Sequence, residues 1–112
     1  MRKKLICIDL DGVLNSYSGY YFKNTIAPIR DGASEFIKKL SENFRIEIFT
    51  VRENKLVWKW ILDNNLESYI CNVSDKKNPK ATLFLDDRAI RFNGDYDKAY
   101  NTIINFLPHW KS

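Results

Sequence analysis

Residues 6–15 read ICIDLDGVLN, and this stretch decides how the rest of the chain is read. A short apolar run, Ile6, Cys7 and Ile8, leads directly into Asp9 and Asp11, with Gly12 immediately after. A compact hydrophobic segment ended by Asp-Gly has the pattern of a buried strand, here residues 4–9. Neighbouring carboxylates resist ionising together, so two of them at the end of a buried strand need something to compensate their charge.

Downstream, the same kind of segment recurs. Residues 45–50 (RIEIFT) alternate and are rich in isoleucine, 69–73 form a short third strand, and 82–85 (TLFL) a fourth that runs into Asp86 and Asp87. Residues 89–92 are expected as a very short fifth strand before the turn at Asn93 and Gly94.

Between the strands the apolar period changes to that of a helix. Asp31 is expected to cap a helix carrying Ala33, Phe36, Ile37 and Leu40 at i, i+3, i+4 and i+7. Residues 53–65 carry Leu56, Val57, Trp60 and Ile61 at helical spacing and stop at Asn64 and Asn65. Tyr100, Ile103, Ile104 and Leu107 mark a closing helix stopped by Pro108. Residues 15–27 lose periodicity but stay aromatic, with Tyr17, Tyr20, Tyr21 and Phe22 around Gly19, and read as a hairpin or mobile loop.

Strands alternating with helices imply right-handed crossovers and a parallel sheet covered on both sides. The expected fold is α/β: a three-layer α/β/α sandwich on a mainly parallel, Rossmann-like five-stranded sheet. With 112 residues, the chain suits one domain over 1–112. The 45% hydrophobic content excludes a disordered chain. The net charge of +4 is compatible with anionic partners and with simple solubility. Cys7 and Cys71 lie in apolar runs and are expected as buried, reduced thiols. The apolar run after Arg2, Lys3 and Lys4 is too short for a signal peptide, and no stretch reaches membrane-spanning length. A cytoplasmic protein with no membrane partner is expected.

In an open parallel sheet, ligands sit beyond the carboxyl ends of the strands. The residues there are Asp9 and Asp11, Thr50, and Asp86 and Asp87. Gathered at one edge, the four carboxylates call for a hard divalent cation with oxygen ligands, Mg2+ being the first candidate. Asp9 would then stay ionised as a nucleophile while Asp11, in a different environment, carries a proton for a leaving group.

The motifs now reached resemble those of phosphatases in the haloacid dehalogenase superfamily: D-x-D-G-V at Asp9, Asp11 and Gly12, an apolar strand ending in Thr50, and an apolar strand ending in Asp86-Asp87, in the family's order. The resemblance runs from the first strand through LDDRAIRF. It implies that Asp9 attacks phosphorus, Asp11 serves as acid and then base, and Thr50 binds a phosphoryl oxygen. It also implies that Asp9, the Asp11 backbone carbonyl and Asp86 or Asp87 hold magnesium.

The resemblance further implies a lysine shortly before the fourth strand. In relatives reading K-P-x-A that lysine directly precedes the proline, whereas here Asn78 precedes Pro79. Lys77 is the first choice, Lys80 the rival and Lys76 the third. Arg52 is read either as a substrate-steering group or as a surface arginine. Arg88 is read as substrate-binding or, preferably, as a partner of Asp86 or Asp87.

Larger relatives carry a cap domain over the site, but here only a short flap, about 13–30, is available for that role. Its aromatics are read equally as a platform for a base or sugar and as cover for the sheet edge. An open site admits bulky phosphorylated substrates, and the L-D-D-R run resembles that of polynucleotide 3'-phosphatases. The expected substrate is a phosphomonoester, with a nucleotide or nucleic-acid end leading. The other reading is a metal-binding regulatory module that turns over poorly.

Overall fold

The computed structural model describes residues 3–17, 19 and 24–106. The elements run β1 (Lys4–Asp9), α1 (Ala33–Ser41), β2 (Phe44–Phe49), α2 (Asn54–Asp63), β3 (Ile70–Ser74), β4 (Leu83–Leu85) and α3 (Tyr96–Ile104). The strands form one sheet in the order β3-β2-β1-β4, and every pairing is parallel. β1 pairs with β2 from Lys4↔Phe44 to Asp9↔Phe49, and with β4 from Ile6↔Leu83 to Ile8↔Leu85.

This order makes β1 the point where the chain reverses direction across the sheet. From β1 the chain steps outward to β2 and β3, then returns past β1 to lay down β4. A crevice opens between the diverging connections at the carboxyl end of such a strand. Asp9 closes β1 at that place.

Both early crossovers move in the same direction, so their right-handedness places α1 and α2 on the same face. The core reflects this. Ile6, Ile8, Ile46, Ile48 and Val73 from the sheet form one cluster with Ala33 and Ile37 of α1 and with Val57, Trp60 and Ile61 of α2. Ile37 and Ile61 are fully buried, and truncating either to alanine would cost about 2–5 kcal/mol.

The opposite face is built differently. Cys7 and Glu47 are buried there, with the Cys7 thiol donating to Glu47 Oε2 at 3.2 Å and Asn72 Nδ2 donating to Oε1 at 2.9 Å. The backbone of Asn78, in the β3–β4 connection, hydrogen-bonds to the Cys7 sulfur. α3 buries none of its residues and packs against no other element of the described chain. The expectation of a second helical layer is therefore corrected: among the described residues a loop, rather than a helix, lies over this face.

Nor is a fifth strand formed among the described residues. After β4 the Arg88 backbone N–H donates to Asp86 Oδ1 at 2.8 Å in a local turn, and residues 89–92 are exposed without strand pairing. Four apolar-leaning residues make a strand only when a neighbour supplies the ladder.

Three local details differ from expectation. α1 starts from Gly32, at φ 87°, instead of from an Asp31 side-chain cap. This left-handed backbone is accessible to glycine at little cost, which is why Gly32 fits there. Cys71 is exposed because β3 is the edge strand and turns only Ile70 and Val73 into the core. The closing helix ends at Ile104. Leu107 and Pro108, expected at its end, lie outside the described residues, as do Tyr20, Tyr21 and Phe22.

The base of the flap is an antiparallel pair. Asn15 bridges Ile29, Ser16 N–H donates to the Pro28 carbonyl at 2.8 Å, and Arg30 N–H donates to the Leu14 carbonyl at 2.9 Å. The hairpin reading of this segment thus holds at its base. No described helix is long and apolar enough to cross a membrane.

Candidate active site

Because Ile8 sits opposite Leu85, the next residues along each strand, Asp9 and Asp86, emerge side by side. Asp87 joins them, and the three residues each place a carboxylate oxygen within 4.8 Å of the others. Burial pushes the Asp9 carboxyl up from the usual carboxylate range to about 7, and the charges of Asp86, Asp87 and Asp11 push the same way. Arg88 opposes them. A group of three acids in partial burial, one of them reluctant to ionise, is the donor set that a hard divalent cation fits.

Asp11 is placed differently. Gly12, at φ 91°, turns the chain just after it, and the Asp11 carboxylate is not one of the three that converge. Both Asp11 oxygens accept from Arg52: Nε donates to Oδ2 at 2.8 Å and Nη2 to Oδ1 at 3.1 Å. Asn15 Nδ2 donates to the same Oδ1 at 3.0 Å. The expectation that the Asp11 side chain belongs with the metal-binding acids is therefore not met by its position, although its backbone stays next to Asp9.

Thr50 follows β2 and is tied to the sheet through its N–H, which donates to the Ser74 carbonyl at 2.9 Å. Its hydroxyl oxygen accepts from the Arg52 N–H at 3.2 Å. Thr50 and the acids share an open cleft of about 400 Å³, lined by Asp9, Asp11, Asp86 and Thr50 on one side and by Tyr17, Phe49, Val51 and Arg88 around the rest. Val51 stands 76% exposed at the rim, a large apolar side chain presented to whatever enters.

The expected lysine is not among these residues. Lys77 holds its ammonium 5.4 Å above the Phe84 ring, on the face of the sheet where Cys7 lies. Lys76 and Lys80 are exposed on the same connection, with the Lys80 N–H bonded to Asn78 Oδ1. Among the described residues Arg88 is the cation that lines the cleft. Its backbone bonds to Asp86, but no side-chain ion pair to Asp86 or Asp87 forms among the described residues, which corrects the preferred reading of this arginine.

Arg52 is neither a surface arginine nor a lining group. It is 4% exposed and paired with Asp11. Asn15, fully buried, was not singled out from the sequence, yet its Oδ1 accepts from the N–H groups of Gly12 at 3.0 Å and Tyr17 at 3.1 Å. The available signal was an asparagine three residues after a turn glycine, a position suited to bonding back to the turn.

No protein-family model matches this chain, and no curated protein matches it significantly. Among solved structures it is similar to one described as a conserved protein coded by a locus from Bacteroides thetaiotaomicron. The two share 24% identity over 92% of this chain and 91% of the other, with a TM-score of 0.59. That likeness supports the α/β fold, with its parallel Rossmann-like sheet.

Proposed function

We propose that this chain is a magnesium-dependent phosphatase of the haloacid dehalogenase type, hydrolysing a phosphomonoester through an aspartyl-phosphate on Asp9. The observation that carries the reading is the convergence of Asp9, Asp86 and Asp87 within 4.8 Å at the carboxyl end of the switch-point strand. Thr50 and Arg88 line the same cleft.

In this reading one Asp9 oxygen attacks phosphorus, the bond from phosphorus to the leaving oxygen breaks, and that oxygen takes its proton from Asp11, one oxygen of which gives up a donor from Arg52 or Asn15 to carry it. Water then attacks the phosphorus of the aspartyl-phosphate and loses a proton to Asp11. The Asp9–phosphate bond breaks, which frees inorganic phosphate and restores the carboxylate. Thr50 donates to a phosphoryl oxygen, and Arg88 places a guanidinium where negative charge gathers. Magnesium would be held by Asp9, Asp86 and Asp87, and when bound it supplies the positive charge that lets a phosphate dianion approach three acids.

The open cleft, with Tyr17, Phe49 and Val51 on its apolar side, favours a substrate with a sizeable leaving group, and a nucleotide or nucleic-acid end leads on those grounds. That no lysine lines the cleft among the described residues favours a second reading, a metal-binding interaction module with weak turnover. Phosphate release from p-nitrophenyl phosphate with and without magnesium, in wild type and Asp9→Asn, separates the two. Magnesium-dependent release lost in Asp9→Asn supports the enzyme, and equal rates in the two proteins support the module. A panel of nucleotides, 3'-phosphorylated oligonucleotides, sugar phosphates and phosphopeptides then tests the substrate class.

A further inference from the structure

Arg52 is an unusual residue to bury, and its contacts explain why it is there. It lies three residues past the end of β2, at Thr50-Val51-Arg52, with its side chain 2% exposed. A guanidinium taken out of water is tolerated when its donors are matched by acceptors. Here the fork of Nε and Nη2 meets both oxygens of Asp11 at 2.8 and 3.1 Å, the two-point geometry that fixes direction as well as distance. Nη1 turns the other way and donates to the Thr25 carbonyl at 3.1 Å.

Thr25 belongs to the return arm of the flap, which is also held by Trp60 Nε1 donating to the Ala27 carbonyl at 3.2 Å. One buried cation therefore spans the turn after β1, the end of β2 and the flap. We infer that Arg52 is a positioning residue that aims the Asp11 carboxylate into the cleft and fastens the return arm of the flap to the same point.

The inference on catalysis rests on the phosphatase reading, while the flap contact stands without it. A group that acts by orienting another shows its effect in kcat more than in KM, and a misplacement of about 1 Å can cost roughly 100-fold. Lysine keeps the charge but lacks the fork, so it cannot make both Asp11 contacts at once.

The test combines kinetics with amide hydrogen exchange on the full chain, using Arg52→Lys, Arg52→Ala, Asp11→Asn and Arg52→Ala/Asp11→Asn. Expected are a drop in kcat of roughly 100-fold for both Arg52 variants with KM within a fewfold, and partial recovery of Arg52→Ala by added guanidinium. The double variant should be no slower than Asp11→Asn alone, because the two residues act as a unit. Wild-type kcat in Arg52→Lys, or losses that multiply in the double variant, would overturn the assignment.

Exchange at residues 24–27 should quicken in Arg52→Lys relative to wild type, and unchanged exchange would overturn the flap contact. If wild type shows no magnesium-dependent turnover, the phosphatase reading fails and the kinetic half of the inference fails with it. The exchange result still decides the flap contact. The two failures are thereby told apart.

Discussion

Ile8 and Leu85 face one another across the β1–β4 pair, and this register brings Asp9 and Asp86 to the same point although 77 residues separate them in sequence. A one-residue slip of β4 would turn Leu85 to the other face and move Asp86 out of reach of Asp9. The acidic centre is therefore a property of the sheet and not of either loop.

The raised acidity constant of Asp9 has a consequence for stability. Its carboxyl titrates near 7 in the fold but near 3.8 when free, so the folded chain holds a proton that the unfolded chain has lost between those values. This contribution is full below about pH 4 and falls away as pH rises through 7. In chelator, thermal unfolding should show the protein losing stability from pH 4 to 7 from this source. Asp9→Asn should remove that slope and melt higher than wild type at pH 8. A wild-type slope retained in the variant would contradict the prediction.

Asp11→Asn should do the reverse. It leaves the Arg52 guanidinium, 2% exposed, facing a neutral amide where it met a carboxylate. Breaking a buried pair from one side costs about 3 kcal/mol at the low end of its range, which suits a partner whose own side chain is 19% exposed. Urea unfolding at pH 7 measures it, and a variant as stable as wild type would refute the pairing.

The cation near the cleft should be assignable by substitution. Lys77→Ala should keep the proposed phosphatase activity within about twofold, since that ammonium sits over Phe84. Arg88→Ala should lose roughly 100-fold or more in kcat/KM, the scale for removing one charge-stabilising donor. Steady-state kinetics decides between them, and the opposite pattern would restore the lysine.

The thiols should differ in reactivity. Burial pushes the Cys7 thiol up to about 11, with the Glu47 hydrogen bond acting in the same direction, and leaves it unreactive. Cys71 is exposed. Maleimide at pH 7 should add one equivalent to the native chain, at Cys71, and a second only after unfolding. Labelling at Cys7 in the native state would contradict the burial.

What was legible from sequence was what local chemistry dictates. The span Lys4–Asp9 announces itself because a buried parallel strand has no polar face, and α2 because Leu56, Val57, Trp60 and Ile61 share a stripe. The acids at strand ends follow from the same reading, since the place where an apolar run stops is itself local.

What was not legible depends on partners far along the chain. Nothing near Arg52 reveals that Asp11, 41 residues earlier, receives its fork. Nor do residues 89–92 disclose that no described strand pairs with them. The exposure of Cys71 likewise depends on β3 being the edge strand, which is settled by sheet order and not by the residues around it. The lysine expectation came from spacing in relatives. Here the connection carries Lys77 over Phe84, and Arg88 lines the cleft.

The central claim is that Asp9, Asp86 and Asp87 together grip a divalent cation. A titration of Mn2+ into the protein at pH 8, followed by electron paramagnetic resonance of the free ion, reads this directly. One ion bound per wild-type chain, displaced by Mg2+ and lost in Asp9→Asn/Asp86→Asn, is the result predicted. No binding by wild type, or undiminished binding by the double variant, would contradict the account.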